Sequence, residues 1–369
     1  MLPPEVIDAH MSAEPSKGGA DAPPSCSTDV GDELDGRHGS VKAAVITAPG
    51  AVEVTTVPDV SPGPREVVVA VAGCGICGTD LHILEGEFAP TLPIVPGHEF
   101  AGEVVAIGSD VDELQVGAQV AVDPSLFCGE CHYCRRGRGN LCERWKAIGV
   151  SEAGGAAEFA VAPVANCFQL PDGVSTADAA LIEPLSCALH GFDVLQPQMG
   201  DAFLIYGAGT MGLMMLELAK RAGAASISIV DLNPSRLETA RTLGCTAAVA
   251  SADELDRPRG WEVVIDCTGV VAAIEDGLGR VAPGGTFQQF GVSGERAVAR
   301  FSPYRVYNSE IRIVGSMAVL HSFERAGELF AAGVLQPEVM ISDRFSLDDY
   351  PKALEQFKAG VGRKLQVQP

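Results

Sequence analysis

The chain has 369 residues, 47% hydrophobic and only 6% aromatic, with 42 Gly and 24 Pro; this supports a cored protein with many tight turns and excludes collagen, coiled coil and wholesale disorder. Acidic residues outnumber basic ones 48 to 26, and a net charge of -22 repels phosphate backbones and anionic membranes, so nucleic acid and lipid are poor partners. The length points to two lobes within one chain.

Residues 1–40 carry eight acidic residues against Lys17 and Arg37, are rich in Pro, Gly and Ser, and show no apolar period. They read as a disordered, dispensable tail. Periodic sequence begins abruptly at Val41, which raises the expectation that the native chain starts there from a non-AUG codon, a point that intact mass tests. No apolar run of about 20 residues follows, and the N-terminus lacks a basic head before an apolar core, so a cytosolic protein is expected. Its eleven Cys would then stay reduced, and clustered ones read first as metal ligands.

From Val41, "VKAAVITAPGAVEVTTVP" predicts two strands about a Pro49-Gly50 turn. The runs "EVVVAVAG", "FAGEVVAIG" and "AQVAV" extend this into a β-rich domain over 41–185. The rhythm then changes. Apolar strands ("DAFLIYG", "SISIVD", "WEVVIDCTG") alternate with helical stretches ("MGLMMLELAKRAG", "SRLETARTLG"), which predicts a parallel sheet covered on both sides. Two helical stretches, "SFERAGELFAAG" and "YPKALEQFKAG", and a short strand, "RKLQVQ", close the chain.

The first strand of the alternating region runs into Gly207-Ala208-Gly209-Thr210-Met211-Gly212, which opens a helix, and the next strand ends at Asp231. A GxGxxG motif alone is weak, but between strand and helix with a following acidic residue it reads as a dinucleotide site. Gly207 permits the turn, Gly209 lets backbone reach a pyrophosphate, and Gly212 lets the helix approach the sheet. Asp231 would accept from ribose hydroxyls and repel a 2'-phosphate, favouring NAD over NADP. Arg236, just beyond, softens that preference because it could face a phosphate.

Cys128, Cys131, Cys134 and Cys142 lie within "CGECHYCRRGRGNLC". Four thiolates on one Gly- and Arg-rich loop suit a closed tetrahedral zinc site of structural type, with an iron–sulfur cluster as the alternative. Arg135, Arg136 and Arg138 are expected to offset its charge. Three further features are bland singly: Cys77 in "GICGTDLH", His98-Glu99 in "PGHEFAG", and Glu183 in "LIEPLSC". Together, in a chain with a dinucleotide site, sulfur, imidazole and carboxylate suggest a second zinc shell with an open position.

The order of these motifs resembles the zinc-dependent medium-chain alcohol dehydrogenases over essentially all of 41–369, and within them the sorbitol and polyol branch, through Glu183-Pro184-Leu185. The resemblance implies an α/β protein with a GroES-like β-rich catalytic domain over 41–185 and 321–369, a structural zinc lobe at 125–145, and a Rossmann cofactor domain over 186–320. It implies one catalytic and one structural zinc, with Cys77 and His98 as catalytic ligands and either Glu99 or Glu183 as the carboxylate. Asp80 matches an orienting carboxylate, Thr79 the hydroxyl that takes the substrate proton, His82 its relay to solvent, and Lys364 a basic residue against cofactor phosphate. The expected reaction is hydride transfer between NAD and a secondary alcohol of polyol, sugar-alcohol or cyclitol type. The alternatives are a small-diol or amino-alcohol dehydrogenase, or a non-catalytic dinucleotide-binding zinc protein. Relatives also suggest a homodimer or homotetramer paired through "EIRIVGS". Ile83, and Gly315 to Val319, stand where sorbitol dehydrogenase has polyol-gripping donors, which weakens sorbitol itself as substrate.

Overall fold

In the computed structural model, which describes residues 39–87 and 90–369, the chain enters as a hairpin. Ser40–Ala48 pairs antiparallel with Ala51–Pro58 across the Pro49-Gly50 turn, where Gly50 takes a φ of 79°. The disordered tail expected over 1–40 and the proposed start at Val41 concern residues that lie, up to His38, outside the described ones; Ser40 already belongs to the first strand.

The central piece of the first lobe is the long strand Glu66–Ile76, paired antiparallel with Glu99–Ile107, Phe159–Pro163 and Lys364–Gln368. Gln119–Val122, Cys167–Gln169 and Ile341–Ser346 extend the same sheet to seven strands among the described residues. The last strands of the chain thus share a sheet with strands formed near its start. Val67, Val69, Phe100, Val104 and Val120 fill one side of it.

The second lobe is a six-stranded, wholly parallel sheet among the described residues. Across it the strands run Ala247–Val249, Ser226–Val230, Ala202–Tyr206, Trp261–Asp266, Val281–Gln289 and Arg312–Gly315. This is the 3-2-1-4-5-6 order of a doubly wound dinucleotide fold, which binds ligands outside the carboxyl ends of its strands. All five residues of Ala202–Tyr206 are buried, as a strand covered on both faces requires. Helix Ile182–Leu195 leaves the first lobe and packs on the second, with Phe192 stacked on Phe203 at 6.0 Å between ring centroids. No described helix is long and apolar enough to cross a membrane.

Candidate functional site

Strand register brings the reactive side chains together. Gly75 pairs with Glu99 across Glu66–Ile76 and Glu99–Ile107, so Cys77, just past one strand, and His98, just before the other, emerge at the same end of the sheet. Ligand atoms of Cys77, His98 and Glu99 lie within 4.8 Å of one another. Cys77 caps helix Gly78–Leu84, and its backbone N–H donates to Asp80 Oδ2 at 2.8 Å.

The other oxygen of Asp80 lies 3.9 Å from His98 Nδ1, and neither atom has a hydrogen-bond partner although both are buried. Orphaned polar atoms facing each other beside a sulfur and a carboxylate fit a zinc site: a cation on the far side of the imidazole would turn Nδ1–H toward Asp80, the usual carboxylate backing of a metal-bound histidine. Burial pulls the His98 pKa down, but the Cys77 thiol and the charges of Asp80 and Glu183 outweigh it, and the net shift is well upward.

Glu183 opens the connecting helix, is 7% exposed, and is pushed by burial to a pKa of about 7, with the His98 charge opposing and the Glu99 charge adding. It falls outside the 4.8 Å group. Its Oε1 lies 3.3 Å from Cys187 Sγ. Cys187, which the sequence reading does not single out, is therefore part of the site, and its spacing four residues after Glu183 on one helix face was the available signal. Burial first, then the Glu183 charge, drives its thiol pKa well upward.

Lys364 does not lie where the sequence placed it. Its side chain is buried and its ammonium bonds Glu99 Oε1 at 2.7 Å, Glu99 Oε2 at 2.6 Å and the Ile76 carbonyl at 3.0 Å, leaving nothing for a cofactor phosphate. Burial opposes its charge, yet Glu99 outweighs that and raises the Lys364 pKa. The Thr79 hydroxyl lies 3.8 Å from Cys77 Sγ, and His82 on the same helix is held at Nδ1 by Glu87 at 2.6 Å. Ile83 is fully buried against Ile46 and Ile94, so it does not line the site and its lack of a donor says nothing of substrate.

The second cluster is local. Cys128 lies 3.9 Å from Cys134 and 3.5 Å from Cys142, and Cys131 lies 3.9 Å from Cys142, all between sulfurs. A tetrahedron with Zn–S bonds of about 2.3 Å has S···S edges of about 3.8 Å, so the four thiols fit that ion; they are far beyond disulfide length. Backbone N–H groups of Cys128, Cys131 and Arg144 point at the sulfurs at 3.3–3.4 Å. The cation that reaches the cluster is Arg144, shared with Glu130, rather than the expected Arg135, Arg136 or Arg138. Hydrogen bonds from the Glu130 backbone and from Arg144 bring the Cys128 pKa down to about 6.

In the second lobe Gly207 takes a φ of 96°, and a Cβ on Gly212 would stand 1.8 Å from the Gly207 carbonyl oxygen, so both positions require glycine. Gly209 caps helix Thr210–Arg221 and faces open space, with Arg236 Nη1 3.9 Å from where its Cβ would be. Thr210 is buried and Met211 packs partly into the core. Asp231 Oδ2 accepts from the Ala208 N–H and Oδ1 from the Asn233 N–H, both at 2.7 Å, which places the carboxylate beside the glycine turn. Arg236 donates to the carbonyls of Gly360 and Gly362 at 3.0 Å each, so its guanidinium is largely committed to the loop before the last strand.

Residues 63–172 match the family described as alcohol dehydrogenase GroES-like domain, and residues 210–332 match that described as zinc-binding dehydrogenase. D-arabinitol dehydrogenase 1 of Uromyces fabae is 35% identical over 82% of this chain and 90% of its own. L-threonine 3-dehydrogenase of Saccharopolyspora erythraea is 35% identical over 87% of this chain and 96% of its own. A zinc-binding dehydrogenase structure from Sinorhizobium meliloti 1021, bound to NADP, superposes with a TM-score of 0.87 at 34% identity, covering 90% of this chain and all of that one. The chain belongs to the zinc-dependent medium-chain alcohol dehydrogenases. It is a dehydrogenase that uses zinc and a nicotinamide dinucleotide, with a GroES-like lobe and a Rossmann lobe.

Proposed function

We propose that the protein oxidises a secondary alcohol of the polyol, sugar-alcohol or cyclitol class to its ketone with NAD, and runs the same reaction in reverse. The observation that carries this is the convergence of Cys77, His98 and Glu99 at one strand end, beside Glu183 and Thr79, in a chain whose relatives include a D-arabinitol dehydrogenase. Cys77 and His98 with one of Glu99 and Glu183 hold the zinc, which when bound polarises the alcohol oxygen. Thr79 takes the hydroxyl proton and His82, oriented by Glu87, passes it on; NAD, held at the Gly207–Gly212 turn and Asp231, would supply the two-electron acceptor for the carbinol hydride. Cys128, Cys131, Cys134 and Cys142 hold the structural zinc.

Asp231 supports NAD over NADP, since a carboxylate at the ribose repels a 2'-phosphate and Arg236, tied to Gly360 and Gly362, offers that phosphate little. The catalytic lobe of this reading takes 41–185 and 321–369, and the cofactor lobe 186–320. A homodimer or homotetramer is part of this reading, supported by the edge strand Arg312–Gly315, where Ile313 is exposed, as are Phe301, Tyr304 and Tyr307 shortly before it. The cytosol suits the free thiols of the described cysteines.

The relative that acts as an L-threonine 3-dehydrogenase favours a second reading, an amino-alcohol dehydrogenase. Assaying purified, zinc-loaded protein against polyols, cyclitols, diols and L-threonine with NAD and NADP decides between them. The expected result is a kcat/KM for the best polyol or cyclitol at least about tenfold above L-threonine, and for NAD above NADP; the reverse order on either axis overturns that part of the reading.

A further inference from the structure

Lys364 carries a buried charge for which the reaction has no direct use, and its surroundings form a socket. Its ammonium has three donors, two spent on the oxygens of Glu99 and one on the Ile76 carbonyl. Glu99 lies flat over Gly75, where a Cβ would stand 2.0 Å from Glu99 Oε2, so the carboxylate fits only because residue 75 has no side chain. Glu99 is 1% exposed, and the same carboxylate lies within 4.8 Å of the Cys77 and His98 ligand atoms. One carboxylate is therefore within reach of two cations, an ammonium fixed by the fold and the metal.

We propose that Lys364 is a positioning residue that restrains Glu99, keeping its carboxylate in the Gly75 socket and off the position that Cys77, His98 and Glu183 leave open on the metal. The proposal rests on the metal centre described above with Glu183, of the two candidate carboxylates, as the ligand, because both oxygens of Glu99 are already held by Lys364. Its charge balance is even on both sides: the Cys77 thiolate and the Glu183 carboxylate neutralise a divalent cation, and Lys364 neutralises Glu99. A buried carboxylate without its partner cannot stay charged and unpaired: it takes up a proton or finds another cation, and here the metal position lies within its reach. Without Lys364, Glu99 turns to the metal and closes the site.

The consequence has an unusual sign: losing a residue next to the centre makes the metal harder to remove while slowing turnover. In cobalt-substituted protein, Lys364→Met is expected to release the catalytic metal to a chelator at least about tenfold more slowly than wild type, with a changed visible spectrum and a kcat lower by about tenfold or more. Glu99→Gln with Lys364→Met, which has no carboxylate to close the site, returns release to about the wild-type rate. Release from Lys364→Met at or above the wild-type rate, or a double variant as slow as the single, overturns the proposal. Should Lys364→Met fail to fold, Lys364→Leu, which likewise removes the ammonium and offers Glu99 no donor, carries the same two outcomes. Metal content of the wild type, two ions per chain against one for Cys77→Ser, tests the centre itself independently of Lys364.

Discussion

The two thiolate clusters are built in opposite ways. Cys128, Cys131, Cys134 and Cys142 come from one loop, have their sulfurs satisfied by nearby backbone N–H groups, and form a shell of four like ligands. Cys77, His98, Glu99 and Glu183 come from three distant stretches, meet through strand register and a helix start, and leave buried atoms of Asp80 and His98 unpartnered. A closed structural shell needs only local spacing. An open shell needs the fold to deliver mixed ligands and a compensating charge from elsewhere, here Lys364 of the last strand. The four-cysteine lobe also touches the returning chain: Asn140 donates to the Met317 carbonyl at 3.0 Å and His321 Nε2 meets the Gly137 carbonyl at 3.1 Å. Both contacts hold the segment by which the chain returns from the second lobe, where Ala318 and His321 take left-handed φ values of 53° and 51°.

Paired substitutions break this comparison most sharply. Cys77→Ser is expected to lower kcat by at least about 10³-fold and to leave one zinc per chain, with thermal melting little changed, because the lost ion stabilises reacting charge rather than the lobe. Cys131→Ser should also leave one zinc, but its main effect is a melting temperature lower by several degrees, since metal binding at a structural site is folding free energy. Metal analysis with calorimetry reads both. Equal stability losses in the two variants would erase the distinction between them.

A middle-sized effect sharpens the reactive side. Thr79→Val keeps the shape of the residue beside Cys77 but removes its hydroxyl, so kcat should fall by about 10²-fold with zinc content unchanged. His82→Gln, one step further along the relay, should cost about tenfold and change the pH dependence of the rate, with zinc content again unchanged. Wild-type turnover and pH dependence in both variants would remove the Thr79–His82 route.

What the sequence made legible follows the same division. The strand–glycine turn–helix at 202–221, the parallel sheet and the β-rich start could be read because apolar periodicity and glycine spacing are local signals, while the GroES-like character of that start came from the resemblance. The four cysteines could be grouped for the same reason. Proximity of Cys77 to His98 could not be read from spacing, because it depends on Gly75 pairing with Glu99 across a sheet; there the family resemblance stood in for geometry. Lys364 was misread because a basic residue in a final strand looks the same whether it faces phosphate or a buried carboxylate 265 positions earlier. Cys187 was missed because a thiol among apolar neighbours reads as filler, and Ile83 was given a cleft role that its burial denies.

The smallest expected effect tests how the four-cysteine lobe joins the sheet. Asp123 follows strand Gln119–Val122, its Oδ1 accepts from the Ser125 N–H at 2.9 Å at the lobe's entrance, and burial pushes its pKa up to about 6 from 3.8. Between about pH 4 and about pH 6 the folded chain holds a proton that the unfolded chain has released. Stability attributable to Asp123 is thus greatest below the unfolded value, declines as pH rises through that window, and is constant above it, by an amount on the order of 1 kcal/mol. Asp123→Asn retains an acceptor for Ser125 and cannot ionise, so the difference in urea midpoint between variant and wild type should grow in the variant's favour from pH 4 to pH 6.5. A difference that stays flat would mean the junction is hydrated rather than buried, and the lobe more loosely mounted than its closed thiolate shell requires.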